Sequence, residues 1–545
     1  MPPVARLGSL ATRDADLDAD AIVVGSGFGG SVMALRLVEK GYRVVVLEKG
    51  KRWLPAQFPT TNWALPRAFW LPWLSCYGIW AFHLLRDVLV LHGVGVGGGS
   101  LLYANTLLVP PDTVWDDPRW KGLEEWRRLM PEHYRTAGRL LGVTTNPRLG
   151  PADEALRRAA ERRGRGHSFR PTQVGVFFGE PGVETVDPYF GGEGPPRVGC
   201  TFCGACMTGC RDGAKNTLDK NYLYFAERGG ARVEAERRVS LIEPLPGGGW
   251  RVLWERSTSR LASERGAYRA RIVVLAGGVL GTVPLLCDCR RRGSLPHLSP
   301  MLGSFTRTNS EALLGITSRS RTDLWEGIAI TSETEMDEVT HMEPVRFTKG
   351  ADVMLLLGTL LADGGGRMPR QLRWLADVAR HPLRFLWVSK PWGKAERSTV
   401  LLVMQTRDNS TTLVQERRWF WPFRPTLTSR PSAAQRRVPS YIPLANQVAR
   451  ELGEELDAIP QSALNEVWLD VPTTAHILGG CPMGASAETG VVDSRGRVFG
   501  YEGLYVADGS MVSANLGVNP SLTIAALTEH IGAHIASPSE LKSSV

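Results

Sequence analysis

Apolar and polar positions follow several distinct patterns along this chain. From Ala21 to Glu48 (AIVVGSGFGGSVMALRLVEKGYRVVVLE) a short apolar run leads into a glycine cluster, then a helical apolar period ending at Gly41, then a second apolar run closed by an acid. That order predicts one strand–helix–strand unit. Later runs of the same apolar kind are RIVVLAGGVLGTVPLL at 271–286 and GLYVA at 503–507, the second read as a strand ending in a turn at Asp508, Gly509 and Ser510. VMLLLGTLL at 353–361 and STVLLVMQT at 398–406 are expected to be strands of a further sheet.

Two stretches depart from this pattern. Between Arg67 and Arg86 lie eighteen uncharged residues, AFWLPWLSCYGIWAFHLL, which barely reach the length of a membrane span. Pro72, Gly78 and His83 interrupt them, so a lid lying at an interface is preferred over a spanning helix or an ordinary core segment. QLRWLADVARHPLRFLWVSKPWGK at 371–394 mixes Trp374, Trp387 and Trp392 with Arg373, Arg380, Arg384, Lys390 and Lys394. Such a mixture suits lipid headgroups, and equally a solvated helix face with buried tryptophans.

Composition narrows the class. The 545 residues are 43% hydrophobic and 22% charged, which indicates folded domains and excludes disordered, collagen-like or coiled-coil chains. The net charge of +9 comes without a long basic run, so nothing supports nucleic acid as a partner. Met1 to Asp20 carries acids where an export signal has an apolar core, and the eight cysteines make no secreted disulfide framework. A cytoplasmic protein, peripheral on a membrane at most, is expected.

The glycine cluster carries the first chemistry. Gly25, Gly27 and Gly30 stand at the GxGxxG positions, for the tight turn, the approach to a pyrophosphate and the packing of helix on strand. Glu48 ends the second strand, placed to accept hydrogen bonds from an adenosine ribose. These residues predict a dinucleotide site and leave FAD and NAD undivided.

GVGVGGGSLLYAN at 93–105, HILGGCPMG from His476, and GLYVADGSMVSANLGVNPSLTI running to 524 together resemble the glucose-methanol-choline oxidoreductases, FAD enzymes that oxidise alcohols. The likeness is to the cholesterol oxidase branch, because Asn519 stands where many members carry a second His. It implies non-covalent FAD held by Gly25, Gly27, Gly30, Glu48, Gly95, Gly97, Gly98, Gly99, Ser100, Asn105, Asp508 and Gly509. It also implies His476 as the group managing the substrate's hydroxyl proton, in surroundings that could keep its ring neutral, and Asn519 holding the substrate oxygen or the flavin edge. Double-bond isomerisation, a second activity of the branch, points to Glu343 in THMEPVRF, with His341 as rival.

The implied fold is α/β, α+β overall: a discontinuous Rossmann-type FAD-binding domain at 19–60, 92–135, 196–300 and 470–537, with a sheet-plus-helices substrate-binding domain at 136–195 and 301–469. Residues 1–18 are an N-terminal tail and 61–91 an apolar lid or membrane-facing insertion. The expected reaction is oxidation of a sterol or similar bulky lipid alcohol to the ketone, with oxygen or an electron carrier as acceptor. Long-chain alcohol dehydrogenation and a membrane-associated flavin/iron–sulfur electron-transfer module are the alternatives.

Cys200, Cys203, Cys206 and Cys210 remain outside that reading. Their CxxCxxCxxxC spacing is a thiolate pattern of bacterial iron–sulfur proteins, except that Arg211 replaces the usual Pro and no second cysteine set exists. An iron–sulfur cluster, a zinc clip and bare packing all stay open, with the absence of iron slightly preferred.

Overall fold

The computed structural model describes residues 17–259, 264–418, 421–431 and 437–543. The expected N-terminal tail lies outside the described residues as far as residue 16. Five parallel strands form one sheet, in the order Arg232–Glu234, Val44–Leu47, Ala21–Val24, Ile272–Leu275 and Leu504–Val506. The three central strands are buried at every position, which is why their sequences show no polar alternation. From Ala21–Val24 the chain proceeds outward to one side through Val44–Leu47 and Arg232–Glu234. It fills the other side through Ile272–Leu275 and Leu504–Val506. The strand order therefore reverses beside Ala21–Val24, and a crevice opens at the carboxyl ends of the strands there.

A second sheet has seven antiparallel strands, ordered Gly358–Leu360, Ala458–Ala463, Ala312–Ser318, Ser398–Gln405, Thr340–Val345, Ser332–Glu335 and Arg170–Pro171. Here the side chains alternate between two environments, as the two-residue period of a strand requires. Ala312, Leu314, Ile316, Leu401 and Val403 pack with residues of the helices Pro151–Glu161 and Pro443–Glu455. Leu313, Gly315, Thr317, Val400 and Leu402 face a cavity on the other side.

The stretch at 353–361 departs from expectation. Val353–Leu357 is a 3-10 turn and only Gly358–Leu360 pairs, at the edge of the sheet. A short apolar run does not itself distinguish strand from helical turn; here Asp352 accepts the main-chain N–H of Leu355 and starts the turn. The apolar segment 68–85 forms short strands, Trp70–Leu71 with Cys76–Tyr77 and Trp80–Leu84 with Leu89–Gly93. No helix among the described residues is long and apolar enough to cross a membrane. In the Trp-rich helix Arg370–Arg380, Trp374 points inward and donates to Thr359 Oγ1 at 2.8 Å, so it is not part of a headgroup-facing surface.

Candidate active site

A cavity of about 1620 Å³ extends from the crevice of the parallel sheet to the inner face of the antiparallel one. Its first wall is main chain. Gly25 has φ +103°, and a Cβ there would lie 2.4 Å from Ala276 O. One on Gly30 would lie 2.0 Å from Gly25 O, so the helix Phe28–Glu39 can sit close only because that side chain is missing. Gly29, which the motif leaves free, is just as constrained, 1.7 Å from Ala507 O. Gly27 differs: nothing lies within 4 Å of its Cβ position, which faces the cavity at the helix N-terminus.

A second glycine loop leans on the first, since a Cβ on Gly98 would come within 2.6 Å of Gly27 Cα. Ser26 ties the two together, accepting Gly97 N–H at 3.1 Å and donating its hydroxyl to Glu48 Oε2 at 2.7 Å. Glu48 also accepts the N–H groups of Ser26 and Gly50, which fixes its carboxylate at the cavity edge. Of the loop residues expected to reach the cofactor, Gly98 and Gly99 line the cavity. Gly95, Gly97 and Ser100 instead build the turn behind it; Ser100 Oγ joins Gly97 O to Leu218 N. Asn105 is buried beside the Cys206 thiol, away from the cavity lining. The carboxylate of Asp508 accepts Gly278 N–H at 2.8 Å, Thr282 Oγ1 at 2.6 Å and Ser510 N–H at 2.8 Å, and with Gly509 it lines the cavity. Burial raises its pKa against those bonds.

The opposite wall is made of side chains. His476 lines the cavity, with Nδ1 hydrogen-bonded to Glu311 Oε1, while Glu311 Oε2 accepts Ala475 N–H at 2.8 Å. The ring is thereby oriented with Nε2 left for a substrate. Burial draws the imidazole pKa down, but the charge and hydrogen bond of Glu311, with the charge of Glu343, outweigh it and carry the pKa above 6.5. Glu311 thus opposes the neutral form that the small and apolar sequence neighbours favour. The acid that decides the matter lies 165 residues away in the chain and was missed.

Asn519 also lines the cavity, and its Nδ2 donates to Glu343 Oε2 at 3.3 Å. Glu343 is fully buried, centred in the strand Thr340–Val345. His341 Nε2 bridges Glu343 Oε1 at 3.1 Å and Glu333 Oε2 at 3.5 Å, and Arg170 reaches Glu333 from the surface at 2.5 Å. Burial lowers the His341 pKa, yet its bond to Glu343 and the two carboxylate charges raise it overall. His341 and Glu343 thus lie in one hydrogen-bonded network, to which Glu333, absent from the sequence reading, also belongs. Cys200, Cys203, Cys206 and Cys210 gather around a separate void.

The known proteins similar to this chain point to one family. Residues 428–528 match the GMC oxidoreductase family and residues 23–53 the NAD(P)-binding Rossmann-like domain. A cholesterol oxidase of Acinetobacter baumannii is 45% identical over 528 residues, covering 95% of this chain and 94% of that protein. The chain belongs to the glucose-methanol-choline (GMC) oxidoreductases. A cholesterol oxidase of Mycobacterium tuberculosis is likewise 45% identical, over 94% of this chain and 90% of its own length. A long-chain-alcohol oxidase of Arabidopsis thaliana is 26% identical over 96% of the chain and 68% of that protein. The crystal structure of pyridoxine 4-oxidase from Mesorbium loti shares the fold, with TM-score 0.60 at 16% identity over 95% of this chain and 99% of that one.

This GMC protein is an FAD-dependent alcohol oxidoreductase, and its first wall fits FAD. Cβ atoms at Gly27, Gly278 or Gly281 would project into open space along the cavity, where a cofactor needs the main chain bare. Glu48, the helix N-terminus and Asp508 supply polar groups along the same wall.

Proposed function

We propose that the chain oxidises a sterol, or a lipid alcohol of similar bulk, to the ketone and then shifts the neighbouring double bond. The observation that carries this reading is the convergence of the His476–Glu311 and Asn519–Glu343 pairs on one cavity, whose remaining wall is the apolar face of a sheet. FAD, when bound, supplies the hydride acceptor. His476 takes the hydroxyl proton at Nε2, which requires the neutral ring, and Glu311 holds the ring and stabilises the imidazolium that results. Asn519 positions the substrate oxygen. Glu343 stands directly behind it, and turning Asn519 aside exposes a carboxylate able to carry a proton across the allylic system.

The acceptor we assign is oxygen, leaving as hydrogen peroxide; relatives named cholesterol oxidase and long-chain-alcohol oxidase support this. The hairpin segment 70–73 lines the cavity, while Trp73 is 71% exposed and Leu74 52%. That apolar rim suits docking on a lipid surface from which the substrate enters. The test is anaerobic mixing with cholesterol, read as loss of flavin absorbance, followed by admission of oxygen and analysis of the steroid and peroxide. A conjugated enone and peroxide are expected. Flavin bleached by long-chain primary alcohols and not by sterols would replace the substrate, and an unconjugated ketone as the final product would remove the isomerisation.

A further inference from the structure

The alcohol chemistry makes no use of the segment holding Cys200, Cys203, Cys206 and Cys210. All four are free thiols and all four line one void, together with Gly204, Ala214 and Lys215. The chain wraps the void because Phe202, Gly204 and Gly209 take left-handed φ values of +57°, +68° and +96°. Main-chain N–H groups point at the sulfurs. Phe202 donates to Cys200 Sγ at 3.4 Å, and the amides of Ala205 and Ala329 reach Cys203 and Cys206. Such donors are strong partners for charged sulfur and weak ones for neutral thiols.

A second observation is independent of the cysteines. Lys215 is 1% exposed, and its Nζ donates only to carbonyl oxygens, those of Leu101 at 3.1 Å, Tyr103 at 2.8 Å and Cys206 at 2.8 Å. Lys220 next to it bonds the carbonyls of Gly213 and Lys215. Lys215 lines the void and Lys220 bonds the carbonyls beside it, so two amines stand at the cysteine loop, where thiolates bound to a metal would serve as their counter-charge.

We propose that Cys200, Cys203, Cys206 and Cys210 bind a [4Fe–4S] cluster. The spacing is that of iron–sulfur ligation. Zinc fits less well: its thiolates sit about 3.8 Å apart when each is about 2.3 Å from a tetrahedral ion, whereas no three of these sulfurs lie within 4.8 Å of one another. A cubane spreads its ligands wider. The void holds about 10 Å³ in this structure, so insertion parts the thiols, and Cys203 and Cys210, half-buried and each adjoining a left-handed glycine, lie where the loop can open. Arg211, which breaks the sequence pattern, has another task. Its Nη1 donates to the carbonyls of Ala56 and Phe58 and fastens the cysteine loop to the segment that follows Glu48. Lys215 joins the carbonyls of Cys206 and Tyr103, and Tyr103 lines the flavin cavity, so one layer of residues separates the two sites.

The test is purification of the full-length holoprotein without oxygen, followed by measurement of iron, acid-labile sulfide, zinc and FAD. About four iron and four sulfide per chain are expected, with a paramagnetic signal after dithionite reduction. In a Cys203→Ser/Cys210→Ser variant iron and sulfide should fall to background while FAD content, which reports the fold, stays at one. Zinc without sulfide overturns the proposal, as does a wild-type protein that stays free of iron after anaerobic reconstitution with ferrous iron and sulfide. None of these readouts depends on the alcohol, so they stand or fall apart from the sterol reading.

Discussion

The two walls of the cavity are built from different materials. On the parallel-sheet side the surface is main chain, shaped by glycines whose missing Cβ atoms let Gly98 rest on Gly27 and Gly30 on Gly25. On the antiparallel-sheet side the polar surface is side chain, His476 and Asn519, backed by the carboxylates of Glu311 and Glu343 and by the His341–Glu333 pair. A main-chain wall presents fixed dipoles whatever the pH, which suits a cofactor held through every turnover. A wall of coupled titratable groups changes charge with proton supply, which suits the reacting alcohol.

The largest expected effect comes from adding one methyl group to the first wall. Gly29→Ala drives a Cβ into Ala507 O and should cost a folded, FAD-loaded protein altogether, because both partners are backbone in packed elements. Gly27→Ala meets no protein atom, so it should fold with an apoprotein Tm near wild type and still lose most of its FAD. Thermal melts alongside FAD content separate the two. Full FAD retention in Gly27→Ala would break the claim that this wall is the cofactor's bed.

On the second wall the direction reverses: FAD should remain and the rate should fall. His476→Ala is expected to slow flavin reduction by about 10²- to 10⁴-fold in stopped-flow mixing, the range for losing a positioned proton acceptor. An unchanged rate would return His476 to a packing role.

Glu311→Gln tests how the wall sets charge. Without the carboxylate the imidazole loses its proton at lower pH, so the acidic limb of the kcat/KM profile should move down. The stability sign follows from the same shift. A folded-state pKa raised above 6.5 stabilises fully below that value and is lost as pH rises through the folded-state pKa, so the gap between wild type and Glu311→Gln should be widest in acid and narrow toward alkaline pH. An alkaline shift of the profile would contradict the pairing.

Two smaller effects sharpen the comparison. Glu343→Gln should leave oxidation within about tenfold of wild type while the unconjugated ketone accumulates, with His341→Asn giving a partial version of the same product pattern. Chromatography of the steroids decides it, and full conversion to the enone in Glu343→Gln would place the isomerising base elsewhere. Trp73→Ser should raise the apparent KM about 5- to 30-fold for sterol in vesicles, leaving the value in detergent unchanged, as expected for a loss of about 1 to 2 kcal/mol of interfacial burial.

The comparison also separates what was legible in the chain from what was not. Gly25, Gly27, Gly30 and Glu48 could be read directly, because a phosphate-binding turn is made by residues adjacent in sequence and its main-chain geometry admits few alternatives. The strand Ser398–Gln405 was legible for a similar local reason, whereas 353–361 was not, since an apolar run of that length serves a turn or a strand equally. The motif HILGGCPMG located His476 but not the carboxylate that pairs with it. Glu311 carries no local mark of its role, sitting just before the strand Ala312–Ser318 like any acid at a strand end.

What the sequence by itself determined is therefore the start of the cofactor half: a strand, a glycine turn and a helix that follow one another directly in the chain. Tertiary structure alone decided that Glu311 meets His476, that Asn519 bonds Glu343, and that Lys215 stands among four thiols. The physical reason is that Coulomb energy depends on distance in space and on the surrounding dielectric. Neither quantity is written in the order of residues until the antiparallel sheet closes over the crevice.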